Sequence, residues 1–276
     1  MKRAFIFFVF TIFILSSCSQ TNLISGKIHS IKMNYPLNKA TVPLDFIPSN
    51  LTIVSAGDSL TQGVGDSRKR GGYIPYLKAE LEGEKGINKV NFMNYGVKGN
   101  KTGDLLKRLK SIELQKAIKS SDMVILTIGG NDIMKVVKEN ISHLEKKDFQ
   151  SAKIQYEKNL IQIMNSIRDM HENVSIVLIG LYNPFHTWFA DVKEMDEILF
   201  EWNIIGEKVI SSYDQTYFVK IDEIFKNSTE NLLYKDYFHP NDKGYSYIAN
   251  RLYKSLSDKA IDDLALKRYL ASKEEN

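Results

Sequence analysis

Cysteine occurs once in this 276-residue chain, at position 18. That excludes an intrachain disulfide, so the fold must stand on its own core. An excess of one charge is missing too: 37 Lys and Arg face 33 Asp and Glu, a net +4, too balanced for a nucleic-acid partner. The apolar run Ala4–Leu15, interrupted only by Thr11, falls short of the about 20 residues that a membrane-spanning helix needs. No phosphate-binding glycine loop or cluster of metal ligands is present, and neither cofactor nor metal is expected. Gly-x-Ser-x-Gly is absent, because Thr61 stands where its second glycine would be, which argues against an α/β-hydrolase elbow. His171-Glu172 begins like a zinc-protease motif, but Ser175 occupies the second histidine position. Internal repeats, low-complexity tracts and coiled-coil heptads are likewise missing.

The first residues are of a different kind. Lys2 and Arg3 precede the apolar run, and Ser16, Ser17 and Cys18 follow it. A basic start, a short apolar stretch and small residues before a cleavage point form a secretory signal. Leu15-Ser16-Ser17-Cys18 also resembles the lipobox of bacterial lipoproteins, in which the cysteine carries the lipid; the alternative is an ordinary secretory signal with an incidental cysteine. The expectation is a signal peptide over 1–17, a lipid-anchored tether over 18–48, a catalytic domain over 49–261 and a tail over 262–276. The protein is then exported and held by lipidated Cys18 on the outer face of a bacterial membrane; firm anchoring takes two or more acyl chains. Losing Lys2 and Arg3 leaves 35 basic against 33 acidic side chains, a net +2. A flexible tether of about 30 residues would span roughly 30 Å end to end.

From residue 49 onward, apolar strand-like runs alternate with helical periodicity. Leu51–Ala56, Lys89–Met93, Met123–Ile128, Ile176–Leu181 and Tyr217–Ile221 read as strands. Between them, Tyr73–Leu81, Asp104–Ile118, a long helix marked by Tyr156, Leu160, Ile163, Met164 and Ile167, and Glu197–Ser211 read as helices. Tyr245, Ile248, Ala249, Leu252 and Leu256 mark a last one. Strands separated by helices imply an α/β fold: a doubly wound, flavodoxin-like three-layer sandwich around a five-stranded parallel sheet. Right-handed crossovers bring the carboxyl ends of all five strands to one edge, where such sheets bind ligands.

Three motifs sit at that edge. Gly57-Asp58-Ser59-Leu60 follows the first strand; its serine is either a helix cap or a nucleophile at a helix amino terminus. Gly129-Gly130-Asn131-Asp132 follows the third strand and offers a side-chain amide donor, although asparagine also forms turns. Asp236-Tyr237-Phe238-His239-Pro240 follows the fifth, with an acid three residues before a histidine, close enough to fix its tautomer. Gly99, in Asn94-Tyr95-Gly96-Val97-Lys98-Gly99-Asn100, either turns the chain or presents its N–H to a neighbouring site. Nucleophile, oxyanion donor and oriented base together are the parts of acyl transfer.

In these blocks the chain resembles the SGNH (GDSL) esterase/lipase family, over roughly residues 50–258, and within it the lysophospholipase-like lipoproteins of Gram-positive bacteria. The resemblance implies Ser59, Asp236 and His239 as catalytic residues and Ser59, Gly99 and Asn131 as oxyanion hole. It implies an acyl-enzyme mechanism on carboxylic esters: short acyl esters, lysophospholipid or lipid-like molecules. The alternatives are an O-acetylesterase acting on cell-wall polysaccharide and a non-enzymatic solute-binding lipoprotein. The aromatic loop 182–189 either walls a pocket for acyl chain or sugar, through Tyr182, Phe185 and Trp188, or packs on itself. The charged run Asp66–Gly72 either attracts an anionic head group or is a solvated face. His29, His143, His171 and His186 read as structural or solvated.

Overall fold

The computed structural model describes residues 48–140, 142–185, 193–264 and 266. The signal peptide, Cys18, nearly all of the tether, His29, His186, Trp188 and most of the tail lie outside them.

Five strands form one parallel sheet: β1 (Ser49–Gly57), β2 (Ile87–Gly96), β3 (Met123–Thr127), β4 (Ser175–Ile179) and β5 (Thr216–Val219), in the order β2-β1-β3-β4-β5. This is the flavodoxin-like arrangement expected, with a switch of direction beside β1 and β3. The helices are α1 (Ser59–Gln62), α2 (Ile74–Leu81), α3 (Thr102–Arg108), α4 (Ile112–Lys119), α5 (Gly130–Glu139), α6 (Phe149–Met170), α7 (Lys193–Ile210), α8 (Asp222–Lys226) and α9 (Asp242–Ser255). The chain stays helical to Leu264, which is buried, and the Tyr217 hydroxyl donates to Asp263 at 2.6 Å.

Alternation along the central strands builds two cores. In β3, Val124 and Leu126 face one layer with Leu105, Leu160, Met164 and Trp202. Met123 and Ile125 face the other, with Leu77, Tyr245, Ile248 and Leu252. All five β3 residues are buried, as a parallel strand covered on both faces requires. Each fully buried aliphatic side chain contributes about 1.5–3 kcal/mol, so these two layers hold the sheet edge in place.

Two elements differ from the sequence expectation. The stretch Asp104–Ile118 is two helices, not one: Ser111 breaks it by capping α4, its Oγ accepting the Leu114 N–H. Gly129-Gly130-Asn131-Asp132, after which no helix was expected, opens α5, whose Ile133 and Val136 are buried at helical spacing.

Candidate active site

The sheet's carboxyl edge assembles the site. Gly57 ends β1 with φ +153°, and a Cβ there would lie 2.0 Å from the Thr127 carbonyl oxygen. Only glycine lets β1 and β3 approach this closely. Asp58 follows as the cap of α1: its Oδ1 accepts the Leu60 N–H and the Thr127 hydroxyl, both at 3.0 Å. Ser59 is thereby fixed at the first turn, 6% exposed, with its Oγ at the cavity wall.

The histidine arrives from the loop before α9. Tyr237 takes a left-handed φ of +55°, which turns the chain so that Asp236 and His239 face each other. His239 Nδ1 lies 2.7 Å from Asp236 Oδ2, and Nε2 lies 2.9 Å from Ser59 Oγ. Asp236 Oδ1 accepts the backbone N–H groups of Phe238 and His239. These contacts favour the tautomer with Nδ1–H donating to Asp236, leaving Nε2 to accept the serine hydroxyl. Asn241 caps α9 immediately beyond, accepting from Lys243 and Gly244, while Tyr234 donates its N–H to the His239 carbonyl at 2.7 Å. The loop is anchored on both sides of the imidazole.

The electrostatics separate the two carboxyls. Burial pushes Asp58 up to about 6, only partly offset by its bonds from Leu60 and Thr127. Partial burial also acts to raise Asp236, but hydrogen bonds from the His239 ring and the loop backbone outweigh it and hold that carboxyl below its ordinary value. Asp236 is therefore the charged partner of the imidazole.

Asn131 lines the same cavity from the first turn of α5, and its Nδ2 donates to the Asn100 carbonyl at 3.1 Å. Asp132 beside it accepts the N–H and hydroxyl of Thr102, tying α5 to α3. Gly99 lies in the same β2–α3 loop with φ +83°, but a Cβ there would meet nothing within 4 Å. Glycine is needed for the turn rather than for close approach, and Gly99 does not line the cavity.

Of the aromatic loop, Phe185 walls the cavity and faces Phe238 at 6.0 Å between ring centres. Tyr182 also borders the cavity, but its hydroxyl is committed: it donates to the Phe238 carbonyl at 2.6 Å while its ring stacks on Phe225 at 4.0 Å. The Asp66–Gly72 run is an ordered loop with a solvated charged face. Asp66 is buried and accepts the N–H groups of Arg68, Arg70 and Gly72, leaving Arg68, Lys69 and Arg70 outside. The residues that sequence reasoning missed are Thr127, Met134, Met195, Leu199 and Phe238, which complete the wall. Among the described residues, no group of three or more His, Cys, Asp or Glu side chains could hold a metal ion.

A serine hydroxyl bonded to an imidazole that is oriented by a carboxylate, on the switch edge of a parallel sheet, defines a serine hydrolase. The chain belongs to the GDSL-like lipase/acylhydrolase family, whose model matches residues 55–247. It is 36% identical over 214 residues to the uncharacterized protein YpmR of Bacillus subtilis, spanning 77% of this chain and 84% of that protein. It is 24% identical over 206 residues to the spore germination lipase LipC of Bacillus licheniformis, spanning 73% and 94% respectively. In fold it is similar to the lipase Lip_vut3 from a goat rumen metagenome, with a TM-score of 0.66, 23% identity and coverage of 74% and 97%. It is also similar in fold to an acetylxylan esterase from Geobacillus stearothermophilus, with a TM-score of 0.57, 20% identity and coverage of 76% and 95%. The protein is an SGNH-type carboxylic ester hydrolase, and the solute-binding alternative is set aside.

Proposed function

We propose that Ser59, His239 and Asp236 carry out ester hydrolysis through an acyl-enzyme, in a protein exported and held at the membrane by lipidated Cys18. The observation that carries the chemistry is the continuous relay of 2.7 Å and 2.9 Å opening into a cavity; the lipid anchor rests on Leu15-Ser16-Ser17-Cys18 alone. Ser59 Oγ attacks the ester carbonyl as Nε2 takes its proton, and Asp236 stabilises the imidazolium. The tetrahedral intermediate collapses, the C–O bond to the alcohol breaks, and Nε2 returns the proton to the leaving oxygen. Water, deprotonated by the same nitrogen, then attacks the acyl-serine and releases the acid.

The oxyanion is held by the Ser59 N–H and the Asn131 amide; Gly99, one residue before the Asn100 that Asn131 holds but outside the cavity lining, adds its N–H only where its loop turns inward on the substrate. One N–H of Asn131 is already given to Asn100, which fixes the side chain and leaves its second N–H for the substrate. General acid–base help is worth about 10²–10⁴-fold, and one oxyanion donor about 3–4 kcal/mol.

The substrate is a lipid-like or lysophospholipid ester, or a short acyl ester. A second reading, an O-acetyl group on cell-wall polysaccharide, is favoured by the likeness to an acetylxylan esterase. Hydrolysis of p-nitrophenyl esters by wild type and by Ser59→Ala tests the assignment: activity should vanish with the serine while the circular dichroism spectrum is unchanged. Wild-type turnover in Ser59→Ala would refute it.

A further inference from the structure

We propose that the cavity beside Ser59 is an acyl pocket for an unbranched alkyl chain of several carbons, which makes the preferred substrate a lipid-like ester rather than an O-acetyl group. This rests on the reading of Ser59 and His239 as the reacting pair.

The space between the lining atoms is about 640 Å³ when the part open to solvent is counted. Its lining is mostly apolar, with Ile133 and Met134 of α5, Met195 and Leu199 of α7, and Phe185 beside the reacting pair. Of its other polar side chains, Asp58 is bonded to Thr127 and Tyr182 to the Phe238 carbonyl. Ile133, Met195 and Leu199 are at most 7% exposed, so this wall is a preformed part of the core rather than a surface patch. Among the described residues, no Lys, Arg, Glu or Gln side chain reaches it. An acetyl methyl is too short to reach along this wall, whereas a flexible chain can follow two adaptable methionines.

Chemistry assigns this apolar wall to the acyl group. The leaving alcohol must meet Nε2 to receive its proton, and the deacylating water must reach the same nitrogen. Only the group that stays bonded to Ser59 lies against the wall through both steps. Each further methylene buried there is worth about 0.8 kcal/mol, or about fourfold in kcat/KM. Four added methylenes give on the order of 10²-fold from acetate to hexanoate.

The mature protein is assayed against p-nitrophenyl acetate, butyrate, hexanoate and octanoate. The expected result is kcat/KM rising with chain length to at least hexanoate. In Met134→Trp, which fills the wall, the hexanoate-to-acetate ratio should fall at least tenfold. In Leu199→Ala, which widens the pocket, the optimum should move to a longer chain. Equal kcat/KM for acetate and hexanoate in the wild type, or ratios unmoved in both folded variants, would overturn the pocket. Calorimetric binding of octanoate against acetate to Ser59→Ala separates the two readings. Octanoate bound tightly by a protein that hydrolyses no ester would keep the pocket and sink the catalytic pair; no preference for octanoate would sink the pocket.

Discussion

Asp58 next to the nucleophile carries an unusual pH signature. Its carboxyl is buried beneath α1 and raised from 3.8 to about 6, so between those values the folded protein binds a proton that the unfolded chain has released. The contribution to stability is therefore full below the unfolded pKa and is lost as pH rises through about 6, the reverse of an ion-paired aspartate. The whole shift corresponds to about 3 kcal/mol, and about 2 kcal/mol of it falls between about pH 4.5 and about pH 8. Asp58→Asn keeps a carbonyl to accept the Leu60 N–H and the Thr127 hydroxyl but has nothing to ionise. Loss of the negative charge at the start of a single helical turn costs about 0.3–1 kcal/mol, a term present only where the wild type is ionised. Urea unfolding of both proteins at the two pH values should show the variant gaining on the wild type by about 1–2 kcal/mol from acid to alkaline conditions. A difference between the two proteins that is the same at both pH values would refute burial as the cause.

Other perturbations read other parts of the site. Asp236→Asn preserves an acceptor for the Phe238 and His239 N–H groups but removes the charge that stabilises the imidazolium, so kcat should fall about 10³–10⁴-fold with the fold intact. Little change in kcat would show that the 2.7 Å contact is ornamental. Asn131→Ala should lower kcat by about 10²–10³-fold and leave KM nearly unchanged; an effect confined to KM would contradict an oxyanion role. Gly57→Ala forces a Cβ to 2.0 Å from the Thr127 backbone and should either abolish soluble expression or lower the unfolding free energy by several kcal/mol. Near-wild-type thermal stability would contradict the packing of β1 against β3.

The sheet and the three motifs were legible because their signals are local. Met123–Thr127 is apolar at every position, and the acid and histidine lie three residues apart. Less local features were not. Gly129-Gly130-Asn131 reads as a turn, and the brief pairing of Ile133 with Val136 was too short to announce α5 against two glycines. The capping signal of Ser111 is hidden in the sequence, because apolar residues continue at helical spacing on both sides of it. Asp66 reads as one more charge in a charged run; only the path of the loop brings the backbone N–H groups of Arg68, Arg70 and Gly72 to its oxygens. The cavity wall is the least legible part, because Met134 and Leu199 come from helices 65 positions apart whose shared surface exists only once both pack on the sheet.

Labelling by a fluorophosphonate probe, followed by mass-spectrometric mapping of the modified peptide, tests the central claim most directly. One adduct per chain on Ser59 is expected, with its rate of formation falling by orders of magnitude in His239→Ala. A protein that hydrolyses esters while Ser59 stays unmodified, or one labelled equally fast without His239, would contradict the account.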